Sequence, residues 1–209
     1  MLLGVTREDS SETSKSPFVW YVRLVPYEID LVHPALDLVN SQHGQAPDLL
    51  DDAAWFDRFL ARWGYALAGP PIPRDRARLV DLRALLRRVV EAVDRGETPP
   101  PADLAELDAV LKATRLQRAL EPGTAGPELR LVPVRPDWKW VLSEIASSFV
   151  ELASDGETRR IKVCDNPACR FAFYDETKNR SRRWCAQATC GNRHKVREFR
   201  ARQRRRLGR

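Results

Sequence analysis

Apolar residues recur along most of the chain at the three-to-four-residue spacing of a buried helical stripe, which predicts a mainly helical protein. The clearest stripe lies in residues 74–94, where Leu79, Leu82, Leu85, Leu86, Val89, Val90 and Val93 share a face. Before it, Asp52 stands as an N-cap for Trp55, Phe56, Phe59 and Leu60, with Gly64 as the stop. A shorter stripe of Leu36, Leu38 and Val39 follows His33-Pro34 and ends before Gly44. Leu104, Leu107, Val110 and Leu111 place a helix over residues 102–120, and Trp138, Val141, Leu142, Ile145, Phe149 and Leu152 place another over residues 138–152. Gly/Pro breaks at 69–73, 98–101 and 122–127 separate them. Two segments read as strands: FVWYVRL at 18–24, and LRLVPV at 129–134, which is able to pair with it and whose Pro133 belongs at an edge. Residues 5–16 are polar and aperiodic and read as a flexible leader. The expected organisation is a leader over 1–17, a mainly helical domain with a small β element over 18–157, and a compact module over 158–209.

Charge sharpens that division. Residues 159–209 hold 17 basic and 4 acidic residues, a net of +13, whereas residues 1–158 hold 18 basic and 25 acidic residues, a net of −7. No window approaches the ~18–20 uninterrupted apolar residues of a membrane span, and the N-terminus lacks the order of a signal peptide, so a cytoplasmic protein is expected. All four cysteines fall in the basic module as Cys164-x4-Cys169, fifteen residues, then Cys185-x4-Cys190. Two short-spaced pairs separated by a hairpin-sized insert can converge on one tetrahedral Zn²⁺, and four thiolates leave no open position for catalysis. His194 is able to replace one of them as a ligand. In the insert, Phe171 and Phe173 alternate onto one face, residues 177–180 supply a turn, and residues 182–184 return to the second cysteine pair. A strand pair followed by a helix from the last cysteines is a treble-clef arrangement, in which zinc replaces most of the core that so small a unit lacks.

These residues resemble a known family. The run Asn179-Arg-Ser-Arg-Arg-Trp-Cys185 followed by Thr189-Cys-Gly-Asn-Arg193 is similar to the CGNR zinc finger, whose tetrapeptide stands at Cys190–Arg193. Upstream, Leu36-Asp-Leu-Val-Asn-Ser41 and the Trp55-containing helix resemble the opening of the ABATE domain, the helical partner usually fused to that finger. Leu38 and Ser41 stand where that family often has Phe and Thr. The resemblance implies a bacterial, stress-linked transcription regulator.

The expected nucleic-acid surface consists of Arg180, Arg182 and Arg183 on the return strand, with Arg193, Lys195, Arg197, Arg200 and Arg204 along the following helix. Val196 and Phe199 are expected to point inward, and Asn192 and Gln203 are the neutral residues suited to base edges. DNA is the favoured partner. RNA is the competitor, because Trp184, Phe171, Phe173 and Tyr174 are able to stack unpaired bases. A protein-interaction module without a role in transcription is the further alternative. No GxGxxG, P-loop or GxSxG motif occurs, so no catalytic activity is expected. Asp37 and Asn40, three residues apart on a helical face, are candidates to bind a small effector, and association into a homodimer is the other route for regulation through the helical domain.

Overall fold

The computed structural model describes residues 33–67, 69–123, 126–154 and 158–208. The expected leader and the expected strand at 18–24 lie outside the described residues. Helix α1 spans Pro34–Asn40, α2 Ala53–Trp63, α3 Pro73–Asp94, α4 Pro101–Leu111 and α5 Trp138–Ser154. Each of α1, α3 and α4 opens on a proline, whose fixed φ suits the first turn and whose missing N–H costs nothing there. Asp52 caps α2 by accepting from the Ala54 N–H, and Gly64 closes it at φ +69°, both as the sequence predicts. The helices pack around one core. Leu36, Leu38 and Val39 of α1 meet Leu79, Leu86 and Val90 of α3 and Val141, Ile145 and Phe149 of α5, while α2 adds an aromatic group in which Trp55 stacks on Phe59 and meets Phe56 edge-on.

The region after α4 differs from the expectation. The helix expected over 102–120 stops at Leu111, and Leu116–Gly123 is strand β1, antiparallel to β2 at Gly126–Pro133. Leu116 and Leu120 are four apart and so also fit a helical stripe, but the Gly/Pro cluster pairs Pro122 with Pro127 and Gly123 with Gly126 at a hairpin tip. The strand expected at 129–134 is thus real, and its partner among the described residues is the segment just before it.

The basic module contains β3 (Ile161–Val163), β4 (Ala172–Tyr174), a π-turn at Gln187–Gly191 and helix α6 (Asn192–Leu207). Its strand pair also differs from the expected one. β4 pairs with β3, Val163 opposite Ala172, and residues 182–184 are irregular. The reason is burial, since Ile161, Val163 and Ala172 are apolar and enter the core shared with α1, α3 and α5, whereas Arg182 and Arg183 cannot. The module is therefore packed onto the helices rather than tethered beside them. No helix among the described residues is long and apolar enough to cross a membrane.

Candidate metal centre and basic surface

Cys164 follows β3 directly, Cys169 lies in the loop that returns to β4, Cys185 precedes the π-turn, and Cys190 lies within it. Their four sulfurs lie within 4.8 Å of one another. A tetrahedron with Zn–S of ~2.3 Å has sulfur–sulfur edges of ~3.8 Å. The Cys169–Cys185 and Cys185–Cys190 sulfur separations are both 3.8 Å. Cys164, Cys185 and Cys190 are buried and Cys169 is half-buried. Without a cation the thiols compete for protons: donation from Cys169 and Cys185 draws Cys164 far below the ordinary thiol range, while its proximity pushes Cys169 and Cys185 up. A divalent ion removes that conflict by taking all four as thiolates. The donor set, its spacing and its closure fit one structural Zn²⁺. His194 stays outside the cluster, packed against the Trp184 ring at 5.1 Å and within 3.4 Å of Glu198.

Hydrogen bonds orient the knuckles. The Cys164 N–H donates to the Phe171 carbonyl and the Cys169 N–H to the Asn166 carbonyl, both at 2.8 Å. The Asn166 amide donates to the Cys190 sulfur at 3.4 Å, and its oxygen accepts from Arg197 of α6 at 3.3 Å. The loop between the cysteine pairs turns on Asp175, which is fully buried and which the sequence reading missed. Burial alone would raise its carboxyl, but donation from Lys162 and Thr177 and from the Arg182 N–H prevails and holds it at about 2. The signal was an Asp-x-Thr sequence at the end of a strand, an Asx-type turn start.

The same loop is bound to the helical part. Asn40, the last residue of α1, pairs its amide with the backbone of Ala172 as a neighbouring strand would: Nδ2 donates to the carbonyl at 2.8 Å and Oδ1 accepts from the N–H at 2.7 Å. Arg87 of α3 donates to the carbonyls of Arg170 and Val39, each at 2.8 Å. Arg170 in turn pairs with Glu91 at 2.8 Å. Gly44, at φ +55°, lies so close to the first knuckle that a Cβ there would stand 2.2 Å from the Ala168 carbonyl oxygen. Asp37 accepts from the Trp63 indole at 2.9 Å, and burial raises its carboxyl above the usual range despite that bond. Asp37 and Asn40 do share a buried face, but the side chains expected to hold an effector are both engaged by the protein itself.

Of the expected nucleic-acid residues, Arg193, Arg197, Arg200 and Arg204 line one open groove of about 670 Å³ together with Asn192 and Val196. None of these four arginines has an acidic partner among the described residues. Lys195 lies on the opposite face of α6, and Gln203 lies at the groove's flank, as 100° per residue requires. Asn192 donates to the Ala188 carbonyl at 3.0 Å and thereby ties the helix to the π-turn. Arg182 is committed elsewhere: its guanidinium covers the Phe173 ring at 4.9 Å and donates to the Cys185 carbonyl. Arg183 pairs with Asp165 at 2.6 Å and lies 5.2 Å from the Trp184 ring. Arg180 holds the turn at φ +50°. Val196 and Phe199 do not pack inward as expected. They are 48% and 58% exposed, because α6 projects from the π-turn and buries no residue of its own.

The CGNR zinc finger family matches residues 160–203. The ABATE family, described as "Putative stress-induced transcription regulator", matches residues 32–156. No curated protein matches the chain. With the ABATE pattern spanning more than half of its length and the four cysteines gathered in the second match, the chain belongs to the ABATE family and carries a CGNR zinc finger.

Proposed function

We propose that the protein is a DNA-binding transcription regulator whose zinc centre fixes helix α6 for contact with the phosphate backbone. The observation that carries this reading is the groove lined by Arg193, Arg197, Arg200 and Arg204, four guanidinium groups on one face with no acidic partner among the described residues. A solvated helix normally interleaves both signs; a one-signed face fits the charge density of a duplex. Duplex DNA is favoured over unpaired RNA because three of the aromatic side chains suited to stacking, Phe171, Phe173 and Trp184, are engaged, which leaves Phe199 as the exposed aromatic of α6. Phe171 and Phe173 are buried beside the cysteines, and the Trp184 ring packs with His194 and Arg183. The helical part then holds the finger and supplies the regulatory input, by association between copies or by an effector. The reading treats the chain as a binding protein, not an enzyme.

Fluorescence anisotropy with a labelled duplex, repeated over a range of salt, tests it. With four phosphate contacts, log K falls against log[salt] with a slope of about −3 to −4, from ~0.9 per phosphate neutralised. A slope near zero overturns the reading, and tighter retention of single-stranded RNA of equal length transfers it to RNA.

A further inference from the structure

The β1–β2 hairpin stands off the helical body as an arm, and neither strand contains a buried residue. Residues directly opposite in an antiparallel pair share a face. The register sets Leu116 against Pro133, Arg118 against Leu131, Leu120 against Leu129 and Pro122 against Pro127, so one side of the arm is almost wholly aliphatic. That side faces solvent: Leu120, Leu129 and Leu131 are 72%, 67% and 66% exposed. The reverse side carries Gln117, Glu121, Glu128 and Arg130, with Arg130 within 3.3 Å of Glu121 and 3.1 Å of Glu128. A two-stranded hairpin is marginal in water without a layer over its apolar face, and a continuous patch of this kind on a protein surface marks an interaction site.

We propose that this face is the docking surface for a second copy of the chain, arm against arm about a two-fold axis. Charge is the first argument. The ionic groups on the reverse side satisfy one another, and Arg118, opposite Leu131, is the one charged residue on the aliphatic side, with a stem long enough to lie on the leucines while its head reaches water. Apart from Arg118 the aliphatic face carries no charge that would select a partner of particular sign, and an identical aliphatic face matches it. Area is the second. The aliphatic side chains and prolines of one arm expose on the order of 600 Å², so two arms in full contact would reach at most about 1,200 Å², the lower bound for a specific interface. Two amphipathic hairpins packed ~10 Å apart make a small sandwich with its polar sides outward. An isologous contact of this kind closes on itself as a dimer.

The experiment is sedimentation velocity on the zinc-loaded full chain without nucleic acid, so its outcome is independent of the reading of α6. The wild type sediments as a dimer at tens of micromolar. Leu120→Glu combined with Leu131→Glu yields a monomer with unchanged helical circular dichroism and zinc content, because both positions face solvent in the protomer. Gln117→Glu, on the reverse side, leaves the dimer intact. A wild type that stays monomeric at that concentration overturns the proposal, as does a dimer indifferent to the leucine changes. A monomer that associates only after removal of residues 1–32 overturns it too and assigns the face to that segment.

Discussion

Asp37 shows how one buried side chain can be legible in position yet not in role. Its place on a helical face beside Asn40 is readable from spacing, but the partner that decides its role, Trp63, lies 26 residues away. Burial raises its carboxyl pKa in the folded state, so its contribution to stability is fully present below the unfolded value of ~3.9 and is lost as pH rises through the folded value. Asp37→Asn keeps an acceptor for the indole and removes the buried charge. The variant is expected to match or exceed wild-type stability at neutral pH, with its relative advantage growing from about pH 4 upward. Urea unfolding at pH 4 and pH 7 measures this, and a variant less stable than wild type at pH 7 contradicts it. Gly44 and Gly64 make a second residue-scale comparison. Both adopt positive φ, but an added Cβ meets the Ala168 carbonyl at Gly44 and nothing within 4 Å at Gly64. Gly64→Ala should cost about 1–2 kcal/mol, the ordinary left-handed penalty, whereas Gly44→Ala should cost more and also weaken zinc retention, read by competition with a chelator.

Among the elements, those built from local signals were legible and those built from distant pairing were not. The helical stripes, the Asp52 cap and the Gly64 stop follow from residues within a few positions of one another, and the convergence of the cysteine pairs follows from the short spacing within each pair and a fifteen-residue insert between them. The β4 segment shows its alternation in Phe171 and Phe173, but β3 is three residues long and gives no such signal, and the pairing of the two is decided by which residues can enter a core formed by other elements. The first residues of β1 fall within the helix expected over 102–120, because Leu116 and Leu120 fit either period. α6 was legible as a basic helix, but its inward face was not, since the sequence contains no sign that the helix projects. The exposed geometry makes a simple contrast. Arg197→Ala, on the groove side, should weaken duplex binding for all sequences and lower the magnitude of the salt slope by about one. Arg202→Ala, on the far face, removes the same charge and should change the slope by less than half as much. Equal effects from the two would show that α6 acts as a diffuse cation rather than through one face.

At the scale of the whole molecule, the strands that carry the metal centre share one core with the helices, because β3 and β4 supply Ile161, Val163 and Ala172 to the interior. Chelating the zinc should therefore lower the melting temperature of the entire chain instead of releasing a separate finger transition, and calorimetry with and without chelator distinguishes the two. Asn40→Ala leaves the Ala172 N–H and carbonyl without their buried partners and should cost about 2–4 kcal/mol with all four cysteines intact. The same bond has a consequence for biosynthesis. Asn40 and Ala172 are 132 residues apart, so at ~5–20 residues per second a ribosome takes roughly 7–26 s to deliver the second after the first. Throughout that interval the nascent helical segment carries an unmet amide and an uncovered apolar seam. Its maturation thus waits on a late strand and on metal supply, and zinc starvation during translation should leave newly made chains open to chaperones and proteases while chains already folded persist.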